Sequence, residues 1–197
     1  MKKIVILLLA GICTKGAIAQ GGSSFGLSYS ISFPMGDLND YINEVSYRGV
    51  TMEWYKHVKH NMDAGLEVGW NVFYAREDSK TYTSSTASIS GVQYRYTNAV
   101  PMIAAARWKK PSSGNATPYA GLGLGVLYVD RSTDFGLYRI STDAWQFCIR
   151  PELGVLFKLH SELEGMLGVK YYWPFNTSDL DGQPYLSINI GLVFSTH

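Results

Sequence analysis

Eight ionisable residues fall at strand-like positions on what reads as one face of the chain. They are Glu53, Glu67, Glu152 and Glu164 against Arg95, Arg107, Arg150 and Lys170. Four acids and four bases cancel, and buried charges persist only when they are paired and hydrogen-bonded. A turn centred near residue 60 sets Glu53 opposite Glu67, and like charges facing each other destabilise a sheet. A cation must therefore lie beside them, or one carboxyl stays protonated. Arg107 and Arg150, at comparable heights above their own turns, are the candidates. The chemistry on offer is a salt-bridge network in a lumen: a structural plug, or a gate that re-pairs as small ions pass.

The remaining reactive residues offer less. His57, His60, His160 and His197 all fall at short turns or at the terminus. The long, polar connections of the chain contain no histidine, so no catalytic residue is assigned. His57 and His60 have an H-x-x-H spacing with Asp63 across the turn, but a zinc site wants three or four ligands in fixed geometry. Asp179, Asp181 and Gly182 resemble part of a calcium loop, except that Ile190 stands where the closing glutamate is needed. No metal and no cofactor is expected. Gly121, Gly123 and Gly125 form a stripe at period two, without the spacing or following helix of a dinucleotide site. Asn115 and Asn176 match the short glycosylation pattern, which is common by chance. Cys148 reads as an inert inward filler.

The elements that must position these residues are long strands. From Met62 to Tyr74 every second residue is apolar or aromatic, namely Met62, Ala64, Leu66, Val68, Trp70, Val72 and Tyr74. That alternation exceeds the usual globular strand of about five or six residues. Seven further segments follow the same period, from Phe25–Phe33 to Leu186–Phe194, which predicts eight strands. The connections run at roughly 34–46, 58–61, 76–90, 110–116, 131–141, 159–162 and 174–183. Long and short alternate along that series. Eight long antiparallel strands, with short turns at one end and long loops at the other, are the layout of an all-β, up-and-down transmembrane barrel. Residues 37–42 are expected to form a short helix over the mouth.

Composition agrees. The 197 residues are 46% hydrophobic and 14% aromatic but only 17% charged, against about a quarter charged in soluble domains. Mean hydropathy is −0.04, and no apolar run is long enough for a transmembrane helix. Lys2 and Lys3, the apolar run Ile4–Ile12 and the small-x-small triplet Ala17–Ala19 read as a secretory signal peptide over 1–19. A single barrel domain is then left over 20–197. It retains one cysteine and no disulfide, and its near-neutral charge gives no electrostatic reason to bind nucleic acid.

A soluble lipocalin-like barrel binding an apolar ligand also alternates, but its water-facing side should be rich in Lys, Glu and Thr. Here the less apolar side carries Gly65, Gly69, Gly123 and Gly154, which suit the crowded lumen of an eight-stranded barrel. The aromatic residues divide into two girdles at headgroup height. Tyr74, Tyr128, Trp145, Trp173 and Tyr185 are expected at the long-loop end, and Trp108, Tyr119, Phe157 and Phe194 at the short-turn end.

Several segments carry a resemblance: Phe33 to Tyr41 (FPMGDLNDY), Pro118 to Gly125 (PYAGLGLG), Pro151 to Gly154 (PELG) and Gly191 to Phe194 (GLVF), behind a leader ending Ala17-Ile18-Ala19-Gln20. The chain resembles the small eight-stranded outer-membrane β-barrels of the OmpA/OmpX type, also called porin-family barrels. That resemblance implies the outer membrane of a Gram-negative bacterium, with outer-membrane lipid and the barrel assembly machinery as partners. It implies no catalysis. The expected role is a non-enzymatic barrel whose long loops take structural or surface-interaction roles, meeting an extracellular ligand. The alternative is a narrow gated pore for small ions or solutes.

Overall fold

The computed structural model describes residues 22–196 apart from 60, 85–86, 113 and 136–137, and the side chains of 78–91 and 135 are also left undescribed. The expected leader 1–19, with Cys13, and the two histidines His60 and His197 lie outside the described residues. The elements in chain order are β1 (Ser23–Pro34), α1 (Gly36–Tyr41), β2 (Ser46–Lys59), β3 (Met62–Ser84), β4 (Ala87–Lys109), β5 (Ala116–Phe135), β6 (Tyr138–Lys158), β7 (Leu163–Pro174) and β8 (Tyr185–Thr196). Each strand pairs antiparallel with the next, and β8 returns to β1 to close the barrel. Closure runs rung by rung from Ser23↔Thr196 to Pro34↔Tyr185. A closed barrel leaves no strand edge, so every backbone group can pair within the wall.

The alternation sorts side chains as a barrel in lipid requires. Outside stand Phe25, Met52, Trp54, Leu66, Trp70, Leu122, Trp145, Phe147, Trp173 and Ile190, all exposed. Inside stand Ser30, Thr51, Glu67, Asn71, Thr97, Gln146, Arg150, Lys170 and Asn189, each at 1% exposure or less. That polarity is the inverse of a lipocalin-like barrel, so the soluble alternative is set aside. Two of the nine expected girdle residues are also inside: Tyr119 is 4% exposed and Tyr185 is fully buried. The reason is parity. In β5 the outward residues are Leu122, Leu124 and Val126, and in β8 Ile190, Leu192 and Phe194; these are even-numbered, so 119 and 185 must face the lumen. Trp145, Trp173, Trp108, Phe157 and Phe194 are exposed outside as expected. Tyr74 packs outside against Tyr96 (centroids 5.0 Å apart), and Tyr128 against Trp145 (5.0 Å).

Two of the expected long loops are instead strand. Residues 76–84 and 87–90 continue β3 and β4 to the pair Ser84↔Ala87, and 131–135 and 138–141 continue β5 and β6 to Phe135↔Tyr138. Their Ser, Thr and Asp content reads as loop locally, but each arm is held by a neighbour whose ladder is already in register. Arms from adjacent hairpins also pair with each other, from Val100↔Tyr128 out to Gln93↔Phe135.

The outer mouth is closed by α1 and the segment 175–184. Gly36 opens α1 at φ +50, a conformation that a Cβ disfavours; a Cβ there would also lie 3.1 Å from Pro184 Cγ. Met35 N–H donates to Pro184 O at 3.0 Å, tying the two segments together. The turn then drops Leu38 and Ile42, both fully buried, into the barrel among Phe73, Leu127, Cys148, Tyr172, Leu180 and Tyr185. Burying such a side chain is worth about 1.5–3 kcal/mol.

Candidate functional site: a closed ring of charges in the lumen

Six of the eight expected ionisable residues meet in the lumen. Glu53 comes from β2, Glu67 from β3, Arg107 from β4, Arg150 and Glu152 from β6, and Lys170 from β7. Glu53 and Glu67 are register partners, as the turn position required. Lys170 Nζ donates to both, reaching Glu67 Oε2 at 2.7 Å and also Glu53 Oε1. Arg107 bridges Glu53 (Nη2 to Oε2, 3.0 Å) and Glu152 (Nε to Oε1, 2.9 Å). Arg150 bridges Glu152 and Glu67, the latter from Nη2 to Oε2 at 3.3 Å. Traced in order, Glu53, Arg107, Glu152, Arg150, Glu67 and Lys170 form a ring in which every charge touches two of the opposite sign.

Tyrosines complete the shell. Tyr172 donates its hydroxyl to Glu67 Oε1 at 2.6 Å. The Arg107 guanidinium lies between two rings, 4.1 Å from the Tyr55 centroid and 4.3 Å from that of Tyr119. Arg150 Nη2 donates to the Tyr55 hydroxyl at 3.4 Å. Aromatic faces attract a desolvated cation, which is why Tyr119 belongs inside rather than in a girdle. Small residues make the room: a Cβ on Gly121 would meet Glu152 at 2.4 Å, and one on Gly154 would meet the Tyr119 ring at 2.5 Å.

Arg95 and Glu164 stay out of the ring. Arg95 sits near the mouth, donating to Tyr41 O at 2.9 Å and facing Glu77 at 3.7 Å. Glu164 lies at the short-turn end, opposite Lys158 and Val193. Sequence reasoning named Arg107 and Arg150 as the cations beside the facing carboxylates. Both are there, Arg107 on Glu53 and Arg150 on Glu67, and Lys170 joins them, reaching both carboxylates across the lumen from a strand adjacent to neither.

One donor of the ring, Arg150 Nε, is buried without a hydrogen-bond partner, but no carboxylate of the ring is open. Glu53, Glu67 and Glu152 bring carboxylate oxygens within 4.8 Å of one another, but each already accepts from two cations. Toward the long-loop end lies the apolar cluster under α1, and toward the short turns lie Tyr119, Leu156, Met166 and Val193. Cys148 is buried in the first of these. At the short-turn rim His57 Nδ1 lies 2.9 Å from Asp63 Oδ1, and Lys109 Nζ lies 2.6 Å from Asp63 Oδ2. The 177–183 turn is held by its own bonds, Gly182 N–H donating to Asn176 Oδ1 at 2.8 Å and Thr177 Oγ1 to Leu180 O at 2.9 Å.

Solved structures share this architecture. Ail, the attachment invasion locus protein of Yersinia pestis, solved with the heparin analogue sucrose octasulfate, aligns at TM-score 0.55 and 14% identity over 90% of this chain and 100% of its own. Neisserial surface protein A aligns at 0.58 and 9% identity, over 89% of this chain and 97% of that one. A major outer membrane protein from Thermus thermophilus aligns at 0.56 and 12% identity, over 90% and 100%. The fold is that of the small eight-stranded outer-membrane β-barrels. No sequence-family description and no curated relative matches the chain. In a barrel of this kind eight strands leave a lumen just wide enough for side chains to fill it, and the charge ring with its two apolar layers is that filling.

Proposed function

We propose that the mature chain is an integral, non-enzymatic outer-membrane barrel with a sealed lumen. It is exported through a cleaved leader and displays its outer hairpins for structural or surface-interaction roles. The observation that carries this reading is the closed charge ring between apolar layers. An ion path needs polar groups that are free to exchange partners, and here each is doubly engaged and buried. The histidines support the same reading: His57 is tied to Asp63 at the short-turn rim, far from the outer leaflet where a lipid-modifying centre would work. The display surface is the β5–β6 tip, where Tyr138 is 72% and Ile140 64% exposed beside Arg139. Exposed aromatic and aliphatic side chains beside a cation suit an extracellular ligand. The heparin analogue bound by Ail is in line with such a role for a barrel of this shape.

The test combines location with conductance. The protein should fractionate with the outer membrane and migrate differently on gels before and after boiling, as a folded barrel does. Planar bilayers containing it should stay silent. Steady channels from the unaltered protein would replace this reading with the narrow pore.

A further inference from the structure

The outer rim carries a second site, built by a bulge that simple alternation does not anticipate. Ser30 pairs with Gly49, but Ser32 pairs with Ser46, so Tyr47 and Arg48 together oppose the single residue Ile31. A bulge of this kind re-aims a side chain. Ser46 and Gly49 are buried, whereas Tyr47 and Arg48 are both exposed on the outer wall. On β3 the outward series Trp70, Val72 and Tyr74 continues to Arg76, also exposed.

Arg48 and Arg76 border one external groove of about 420 Å³ with Tyr47 and Tyr74. The Arg48 guanidinium lies 5.9 Å from the Tyr74 centroid, and Tyr74 packs against Tyr94 and Tyr96. Tyr29 donates its hydroxyl to Tyr47 O, fixing the bulge from β1. Beside the groove begins the apolar wall of Val50, Val68 and Trp70. Among the described residues neither guanidinium forms an ion pair, although the carboxylate-bearing Glu44 borders the same groove.

We propose that Arg48 and Arg76 clamp the phosphate of an anionic outer-leaflet lipid. The proposal rests on the outer-membrane reading above. Two unpaired guanidinium groups among tyrosines, at the upper edge of an apolar wall, sit at headgroup height. Guanidinium forks match phosphate oxygens in geometry and charge, and both arginines bordering the groove are exposed. One lone carboxylate, Glu44, cannot neutralise both.

The experiment measures lipid retention. The mature protein is folded into phosphatidylcholine vesicles containing a minor fraction of bis-phosphorylated lipid A, then extracted in mild detergent. Retained lipid A per protein is read by mass spectrometry. The unaltered protein and Lys158→Gln, a change at the opposite rim, should retain it equally. Arg48→Gln combined with Arg76→Gln should retain roughly thirtyfold less, the scale expected for two basic residues at a charged surface. Dephosphorylated lipid A should be retained as poorly by the unaltered protein. Equal retention by the double variant overturns the site while leaving the barrel in its membrane. Failure of the unaltered protein to insert, seen as loss of the heat-dependent gel shift, overturns the outer-membrane reading and the site with it.

Discussion

Glu53 and Glu67 face each other across β2 and β3 inside the barrel, and the two carboxylates share the ammonium group of Lys170. A like-charge pair in a sheet is tolerable because other strands supply counter-charge through the lumen, Lys170 to both carboxylates, Arg107 to Glu53 and Arg150 to Glu67. Lys170 is the ring cation that touches both members of the facing pair.

Lys170→Met should lower stability by about 3–5 kcal/mol, the cost of breaking a buried pair and leaving charge uncompensated. Adding Glu53→Gln to that variant should recover part of the loss, because it removes one of the two facing charges. Urea unfolding of the lipid-folded protein, followed by the heat-dependent gel shift, measures both. A double variant no more stable than the single one would mean the ring is not organised around this contact.

Gly125→Ala should also destabilise, by about 1–3 kcal/mol as for overpacked sites. Its Cβ would lie 2.1 Å from Met102 O and 2.8 Å from Ile103 Cα, both backbone atoms that cannot swing aside. Gly114→Ala is the matched control, since the nearest atom there is 3.8 Å away. Unfolding midpoints of the two variants should separate, with Gly114→Ala indistinguishable from the parent.

Leu38→Asp unseats α1 by placing a charge where a fully buried leucine sits. Conductance should nevertheless remain absent, because the charge ring lies beneath the displaced plug. Single-channel recording decides the matter. Channels appearing in this variant alone would assign the seal to α1 rather than to the ring.

All five tryptophans point outward: Trp54, Trp70, Trp108, Trp145 and Trp173 are 46–58% exposed. Lipids carrying a bromine or nitroxide quencher in the acyl chain should therefore remove most of the intrinsic emission. Acrylamide in the water should remove little. The opposite pattern would place the apolar wall in solvent.

The strand count, the polarity of the wall and the facing pair Glu53–Glu67 were legible because period two and short turns are local properties. What escaped the sequence is non-local. Lys170 belongs to a strand that touches neither β2 nor β3, and contacts across a lumen leave no spacing signature. Height along the strand points Tyr119 and Tyr185 to the girdles, although parity with Leu122 and Ile190 turns them inward. The hairpin arms beyond Arg76 and Arg131 look like loops by composition, and only the registered neighbour keeps them as strand. The bulge at Tyr47 and Arg48 shifts parity by one, and nothing in its composition announces that.

The ring has a consequence for how the barrel meets an electric field. A potential across a membrane acts on each elementary charge with about 2.3 kcal/mol per 100 mV if the charge crosses the full drop. Three carboxylates and three cations held in mutual contact are pulled equally in both directions. The assembly carries no net gating charge, and displacing one member along the field would drag two partners against it. Voltage has no grip on this interior.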